Sequence, residues 1–241
     1  MILNLGYIGL SILMTVILVL IGLDTIEKTF NDTSTARKKR LTLILSLLLW
    51  HVYIFTIAST GILQNYEFPP KFLLLLILPA FLFTGVFIYK NRKSEWLRNI
   101  PEHWLIYYQT FRILIEILFV FSVTRGIVHW QMTIHGYNFD LIFATSALII
   151  GFLVFQKKML AKKAALWWNY LGLAVIAVII FLVQSAIYLP EIYGSDVVLL
   201  PKEFVMYPYV LVAGFLMPSA VFIHVLSIVQ LGNTTEHKHH S

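Results

Sequence analysis

The chain has 241 residues, of which 59% are hydrophobic and only 12% are charged, whereas an average soluble domain carries roughly 25% charged residues. Charged residues this few could not cover the surface of a water-soluble domain of this size. The composition therefore excludes a water-soluble globular protein and indicates an integral membrane protein. The absence of cysteine excludes disulfides, thiolate catalysis and cysteine-ligated metals. The net charge is +6, but no cluster of Lys and Arg is interleaved with aromatic residues as in nucleic-acid-binding surfaces. We therefore expect a lipid bilayer, and no nucleic acid, as the partner.

Seven stretches of the chain approach the roughly 20 apolar residues that a membrane-spanning helix needs. They lie near residues 3–23, 41–63, 72–89, 105–125, 140–156, 166–188 and 209–231. The predicted fold is an all-α integral membrane protein with seven transmembrane helices. A single domain is expected over residues 1–231, followed by a short polar tail over 232–241. No oligomeric state is predicted.

The segments that join these stretches alternate in charge. Those over 24–40, 90–104 and 157–165, together with the tail, hold fourteen Lys or Arg residues, whereas the other connections hold three. Cytoplasmic loops carry the excess of Lys and Arg in membrane proteins. The pattern therefore predicts an N-terminus outside and a C-terminus in the cytoplasm.

The fourth stretch carries two charged residues in its middle, Arg112 and Glu116. A charge at the centre of a spanning helix costs about 2.5–3.5 kcal/mol on the insertion scale, so both need a partner and a protein-lined surrounding. Residues four apart in a helix lie on one face. We therefore expect Arg112 and Glu116 to pair, with Gln109 extending the same polar face.

Two histidines are expected at nearly the same depth as this pair, His51 in the second stretch and His224 in the seventh. One hypothesis is a buried ligand-binding pocket formed by His51, Gln109, Arg112, Glu116 and His224. The alternative is an internal ion pair that fixes helix packing, with both histidines satisfied by neighbouring carbonyls or hydroxyls. Pro218 is expected to free the carbonyl of residue 214 close to this cluster.

Two cofactors fit parts of this pattern. A b-type haem held between His51 and His224 is one hypothesis, because neutral imidazoles are common axial ligands. A zinc ion on the outer surface, bound by His129, His135 and Asp140, is another, although the spacing matches no established ligand motif.

Three runs, IPEHWLIYYQTFRILIEIL, MTIHGYNFD and WWNYLGL, lie within residues 100–175. Together they make the chain resemble a group of uncharacterised bacterial seven-helix integral membrane proteins. The resemblance implies a multi-pass protein of the bacterial inner (plasma) membrane. It implies no activity and no site residues.

The sequence therefore favours an inner-membrane protein that binds or transports a small molecule or ion through the polar cluster of its second, fourth and seventh helices. One alternative is a membrane-embedded enzyme acting on a lipid or isoprenoid, with the outer His and Asp residues in a metal or acid–base role. Another is a structural subunit of a membrane complex. Whether the chain is an enzyme is left open, because no Walker loop, HExxH or GxSxG motif is present.

Overall fold

The computed structural model describes residues 2–194 and 198–236, and this part of the chain is all-helical, without a β-strand. The helices are α1 Ile2–Thr29, α2 Thr33–Ser59, α3 Leu73–Asn91, α4 Glu102–Val123, α5 Asp140–Gln156, α6 Lys162–Tyr188 and α7 Val212–Asn233. Six of them are long and apolar enough to cross a membrane, and α5 is shorter. The all-helical fold is thus confirmed, and six of the seven predicted spans have the length and composition of membrane-spanning helices. Helical structure continues from α7 to Glu236, so the predicted tail begins as helix, and its residues 237–241 lie outside the described part.

α1 and α2 form a hairpin whose turn is fixed by Asp32. The Asp32 carboxylate accepts hydrogen bonds from the backbone N–H groups of Ser34 (3.2 Å) and Thr35 (2.9 Å), which otherwise have no partner at the start of α2. Hydrogen bonds from Thr35 and Ser34 also hold the pKa of this carboxyl well below its usual value, because they favour its charged form.

Proline shapes the start of α3 and of α7 in the same way. Each helix opens with a π-helical turn, Leu73–Ile77 and Val212–Leu216, just before Pro79 and Pro218. A helical proline leaves the carbonyl four residues earlier without a donor. In α3 the Leu75 carbonyl accepts instead from the Tyr53 hydroxyl (2.8 Å), and in α7 the Gly214 carbonyl accepts from the Trp50 indole (2.9 Å).

The freed carbonyl predicted at residue 214 is therefore present, but it faces α2 and not the polar cluster. Trp50 and Tyr53 stack on each other with ring centroids 5.2 Å apart, so one aromatic pair on α2 serves both proline-bearing helices.

Burial separates central from peripheral helices. In the apolar window of α7, 67% of residues are buried, against 11% in the window of α2. The outward side chains of α2 are large and apolar, for example Leu48, Leu49 and Phe55, each more than half exposed. Such a surface suits a hydrocarbon surrounding, and α7 is the helix around which the others pack.

The strongly basic connections meet at one end of the bundle, here called the basic end (24–40, 90–104 and 157–165). Asn99 donates to the Thr29 hydroxyl (2.9 Å), and Lys162 pairs with Glu102 at 2.6 Å. At the opposite end, the Tyr188 hydroxyl donates to the Tyr66 carbonyl (2.8 Å). The fold thus sorts the basic connections to one end, as the alternating charge pattern requires.

The fifth helix does not reach the opposite end of the bundle. Asp140, its first residue, contacts Arg112, which is the eleventh of the 22 residues of α4. The far end of α5 lies near the basic end, where Gln156 donates to the Tyr107 hydroxyl (3.0 Å). The predicted bounds 140–156 therefore match those of α5, but α5 begins near mid-depth and is not one of the six helices long enough to cross a membrane.

The segment 124–139 fills the space that α5 leaves at the opposite end. It returns into the bundle so that the backbone N–H of Ile134 reaches the side chain of Glu116 in α4. The segment 198–205 packs over it, with Leu199 and Leu200 buried and the Leu199 carbonyl accepting from the His129 N–H (3.2 Å). These two segments close the opposite end.

Candidate functional site

The polar centre of the bundle is an ion pair between Arg112 and Asp140. The Arg112 Nε donates to Asp140 Oδ2 at 2.9 Å, and Nη2 donates to Oδ1. Arg112 is 3% exposed and Asp140 is 8% exposed. This forked geometry is the arrangement in which Arg binds a carboxylate most strongly.

The predicted pair between Arg112 and Glu116 is wrong. Both side chains lie on α4, but α5 starts at mid-depth and brings Asp140 within reach of the Arg112 guanidinium. Two N–H groups of the guanidinium then bind the Asp140 carboxylate as a fork. Asp140 is consequently inside the bundle, and not on the outer surface where the zinc hypothesis placed it.

His224 in α7 lies on the other side of Arg112. Asn169 uses its Nδ2 to donate to the Ala165 carbonyl (2.8 Å) and to the Ser227 hydroxyl (3.0 Å), so its Oδ1 is the acceptor for His224 Nδ1 at 2.8 Å. His224 Nδ1 is therefore a donor, and in the neutral ring Nε2 is left as an acceptor for Arg112 Nη1 at 3.4 Å. The hydrogen bonds assign His224 as the neutral Nδ1–H tautomer.

A glycine makes room for this imidazole. A Cβ at Gly172 in α6 would come within 2.3 Å of His224 Cε1, 2.5 Å of Nε2 and 2.8 Å of Phe143 Cζ. The imidazole also contacts Trp168, with ring centroids 5.5 Å apart. The close approach of α6 to α7 at Gly172 therefore fixes where His224 can lie.

Glu116 is attached to the returning segment, 124–139. Its Oε1 accepts from the Ile134 backbone N–H at 2.5 Å and its Oε2 accepts from Asn138 Nδ2 at 3.4 Å. Asn138 Oδ1 in turn accepts from the Asp140 N–H at 3.1 Å. Glu116 is 3% exposed, and among residues 2–194 and 198–236 no cationic side chain forms an ion pair with it.

These contacts join four helices into one hydrogen-bonded chain, here called the polar cluster. Its members, in order of contact, are Glu116, Asn138, Asp140, Arg112, His224, Asn169 and Ser227. Asp140 balances the charge of Arg112, so the Glu116 carboxyl is the one acid of the cluster without a counter-ion inside it. A buried carboxylate without a cation is costly, so this position favours binding of a proton or cation.

Gln109 lies on α4 where that helix tightens. The N–H groups of Gln109 and Arg112 bond to carbonyls three residues earlier, as in a 3₁₀ turn. Gln109 Nε2 donates to the Ala220 carbonyl at 3.1 Å, and its buried Oε1 has no hydrogen-bond partner in the part of the chain that is described.

His51 lies apart from the polar cluster. Its Nε2 contacts the Ser11 hydroxyl at 3.1 Å, and its Nδ1 donates to the Leu47 carbonyl at 2.9 Å. Its ring packs on Phe215, nine residues before His224, or roughly 14 Å away along α7. The two histidines thus use their nitrogens for different protein partners, and the arrangement does not fit a haem held between them.

The three residues of the zinc hypothesis are not brought together either. Asp140 is engaged by Arg112, His129 Nδ1 accepts from the Gln131 N–H at 3.5 Å, and His135 is exposed. In the described ranges, no group of three His, Asp or Glu residues is placed to hold a metal ion.

An elongated cavity of about 90 Å³ adjoins the Arg112–Asp140 pair. It runs between α4, α6 and α7 from this pair toward the opposite end, and its wall also includes Phe72 and Ile77 at the start of α3 and Leu200 and Phe204. Its wall is apolar except for four residues, Arg112, Asn138, Asp140 and Gln184. The arrangement can enclose a slender apolar molecule with its end against the ion pair.

Comparisons with protein-family models, with curated proteins and with solved structures found no match to this chain. The site must therefore be interpreted from its own chemistry.

Sequence reasoning placed Arg112, Glu116 and His224 in the interior but missed Asn138 and the inward position of Asp140. Two signals were present in the sequence. The stretch 140–156 is at the lower limit of a spanning length, and Asn138-Phe139-Asp140 is a helix-start pattern directly before an apolar run. Together they indicate a helix that begins inside the bundle.

Proposed function

We propose that this chain is a multi-pass protein of the cell inner membrane that binds a small molecule in the cavity beside the polar cluster. In this proposal the membrane is crossed seven times, and the fifth crossing combines the segment 124–139 with α5. The N-terminus lies outside and the basic end faces the cytoplasm, because fourteen Lys or Arg residues stand on that side against three.

The observation that carries this proposal is the contact between the cavity and the buried Arg112–Asp140 pair. Ion pairs inside a membrane protein commonly mark ligand or ion pathways. A helix that begins at mid-depth next to a cavity is also a feature of membrane binding sites, because its N-terminus offers backbone N–H groups there. A purely structural subunit would need neither the cavity nor the break in the fifth crossing.

The proposal is tested by filling the cavity. Ala213 lines it and is 6% exposed, so Ala213→Leu places three more carbon atoms in the empty space. The control is Ala177→Leu, the same change on an exposed position of α6. The chain is extracted in native membrane discs, and the bound small molecules are identified by mass spectrometry.

We expect a stoichiometric small molecule with the parent chain and with Ala177→Leu, and its loss from Ala213→Leu. Equal extracts from all three chains, with the helical content unchanged, would contradict a ligand in this cavity.

A second candidate function is coupling of this binding to a proton or cation, which is favoured because no described residue supplies a counter-ion for Glu116. Glu116→Gln keeps the acceptor oxygen for Ile134 and removes the charge. Proton release on ligand binding, measured in weakly buffered detergent solution, is expected from the parent chain and not from Glu116→Gln. Equal proton release from both chains would remove Glu116 from this role.

A further inference from the structure

The shape of the cavity limits what can occupy it. Its wall follows α4 from Phe111 to Phe119 and α6 from Ile176 to Gln184, eight residues in each case, which corresponds to roughly 12 Å at the helical rise of 1.5 Å. With a volume of only about 90 Å³ over this length, the cavity is narrow. Pockets for drug-sized molecules hold roughly 300–1,000 Å³. The cavity therefore suits a single unbranched chain better than a ring system.

The half-buried side chain of Gln184 lies at the far end of the cavity, and its amide nitrogen has no acceptor in the described part of the chain. Gln184 Nε2 is buried and has no hydrogen-bond acceptor among residues 2–194 and 198–236, and Gln184 is the one polar residue of the cavity wall contributed by α6. A buried N–H group left without an acceptor costs about 1–3 kcal/mol. An occupant with a suitably placed oxygen would remove this cost.

The charges at the inner end decide the charge of the occupant. Asp140 already neutralises Arg112, and Glu116 adds a carboxyl that is linked to the same network through Asn138. A carboxylate or phosphate entering the cavity would compete with Asp140 and meet this second acid. A neutral oxygen meets no such opposition.

From these three observations we infer that the occupant is a neutral, unbranched lipophilic chain that carries a hydrogen-bond acceptor oxygen, and that Gln184 Nε2 donates to this oxygen. This inference rests on the proposed function, because it names the ligand class of the same cavity. The apolar wall supplies most of the binding, and Gln184 supplies the preference for an oxygen over a plain alkane.

The absence of native cysteine allows a direct test. Ala213→Cys introduces a single thiol in the cavity wall, and Ala147→Cys introduces one at a fully buried position that does not line the cavity. The rate of alkylation by N-ethylmaleimide is measured in micelles of the full chain, over a series of mole fractions of pentane or 2-pentanone. These probes have the same chain length, and only the ketone carries an acceptor.

We expect both probes to slow alkylation at position 213. We expect 2-pentanone to act at about two- to tenfold lower mole fraction than pentane, as one hydrogen bond predicts. Gln184→Leu should abolish this difference. Gln156→Leu, the same change at a residue outside the cavity wall, should leave it intact.

The outcomes separate the two proposals. If neither probe slows alkylation, or if the thiol at position 213 reacts no faster than the one at position 147, the cavity takes no ligand and the proposed function fails. If both probes protect equally, or if the advantage of 2-pentanone survives in Gln184→Leu, the cavity still binds ligands, but the role of Gln184 and the ligand class are wrong.

Discussion

Arg112 is the residue on which the interior electrostatics depend, because its guanidinium touches both halves of the polar cluster. It binds Asp140 in a fork and donates to His224, which the hydrogen bonds hold as a neutral ring. Breaking a buried pair by removing one partner costs far more than replacing both, since the remaining charge is left alone in a medium that cannot solvate it. The identity of the true partner therefore has a measurable consequence.

The first prediction concerns that partner. Arg112→Met should lower the free energy of unfolding by about 3–5 kcal/mol, because Asp140 is left unpaired. Adding Asp140→Leu should restore most of this loss, whereas adding Glu116→Met should not. The measurement is denaturant-induced unfolding in detergent, followed by circular dichroism. Recovery with Glu116→Met and not with Asp140→Leu would show that Glu116 is the partner of Arg112.

A second prediction at this scale concerns the space beside His224. Gly172→Ala should destabilise the chain by about 1–3 kcal/mol, because the new methyl group would overlap the imidazole and the ring of Phe143. The control is Gly85→Ala in α3, where a Cβ meets nothing within 4 Å. That change should be neutral or stabilising by up to about 1 kcal/mol. The same loss from both variants would contradict the close approach at Gly172.

At the scale of elements, the proline-bearing helices depend on α2. A proline in α3 and another in α7 each leave a carbonyl without its helical donor, and Tyr53 and Trp50 provide substitutes. α2 has few other buried side chains, so these two hydrogen bonds, together with its contact with α1, account for where it docks. Because π-helical turns accompany both sites, the aromatic pair stabilises two irregular helix starts at once.

The prediction at this scale is a double-mutant cycle. Trp50→Phe should cost about 1 kcal/mol, because the Gly214 carbonyl loses its donor. In a Pro218→Ala background residue 218 regains an N–H that can serve the same carbonyl, so Trp50→Phe should then cost less. Thermal unfolding in one detergent compares the four chains. Phe55→Leu on the exposed side of α2 is the control, and it should leave the coupling unchanged.

At the scale of the whole molecule, charge and hydrophobicity are sorted along one axis. The basic connections gather at one end, the segments 124–139 and 198–205 close the other, and the polar cluster lies between them at mid-depth. In the proposed orientation the basic end faces the cytoplasm, the side on which membrane proteins retain Lys and Arg. The orientation is therefore open to direct labelling.

The topology prediction uses two matched substitutions in the cysteine-free chain. Glu67→Cys lies at the opposite end and Glu95→Cys at the basic end, and both positions are exposed. In intact spheroplasts a membrane-impermeant maleimide should label the chain with Glu67→Cys, and it should label the chain with Glu95→Cys only after the membrane is opened. The reverse pattern would invert the proposed orientation.

The sequence by itself determined the features that depend on local composition. Apolar runs of sufficient length specify helices in any bilayer, and the bounds 140–156 match α5, although α2 begins eight residues before the predicted stretch 41–63. The alternation of strongly basic and weakly charged connections could also be predicted from the sequence, because it depends only on the order of the helices along the chain. Arg112, Glu116 and His224 could be placed in the interior for the same reason.

Only the tertiary structure decided which of these groups meet. Spacing along α4 suggested Glu116 as the partner of Arg112, but the returning segment captures Glu116 through Ile134 and delivers Asp140 to the guanidinium. His51 was expected at the same depth as His224, yet it contacts α1 and the start of α7 instead. Depth follows from counting residues along one helix, whereas contact depends on how helices pack and where a loop turns back, and a single helix does not encode that.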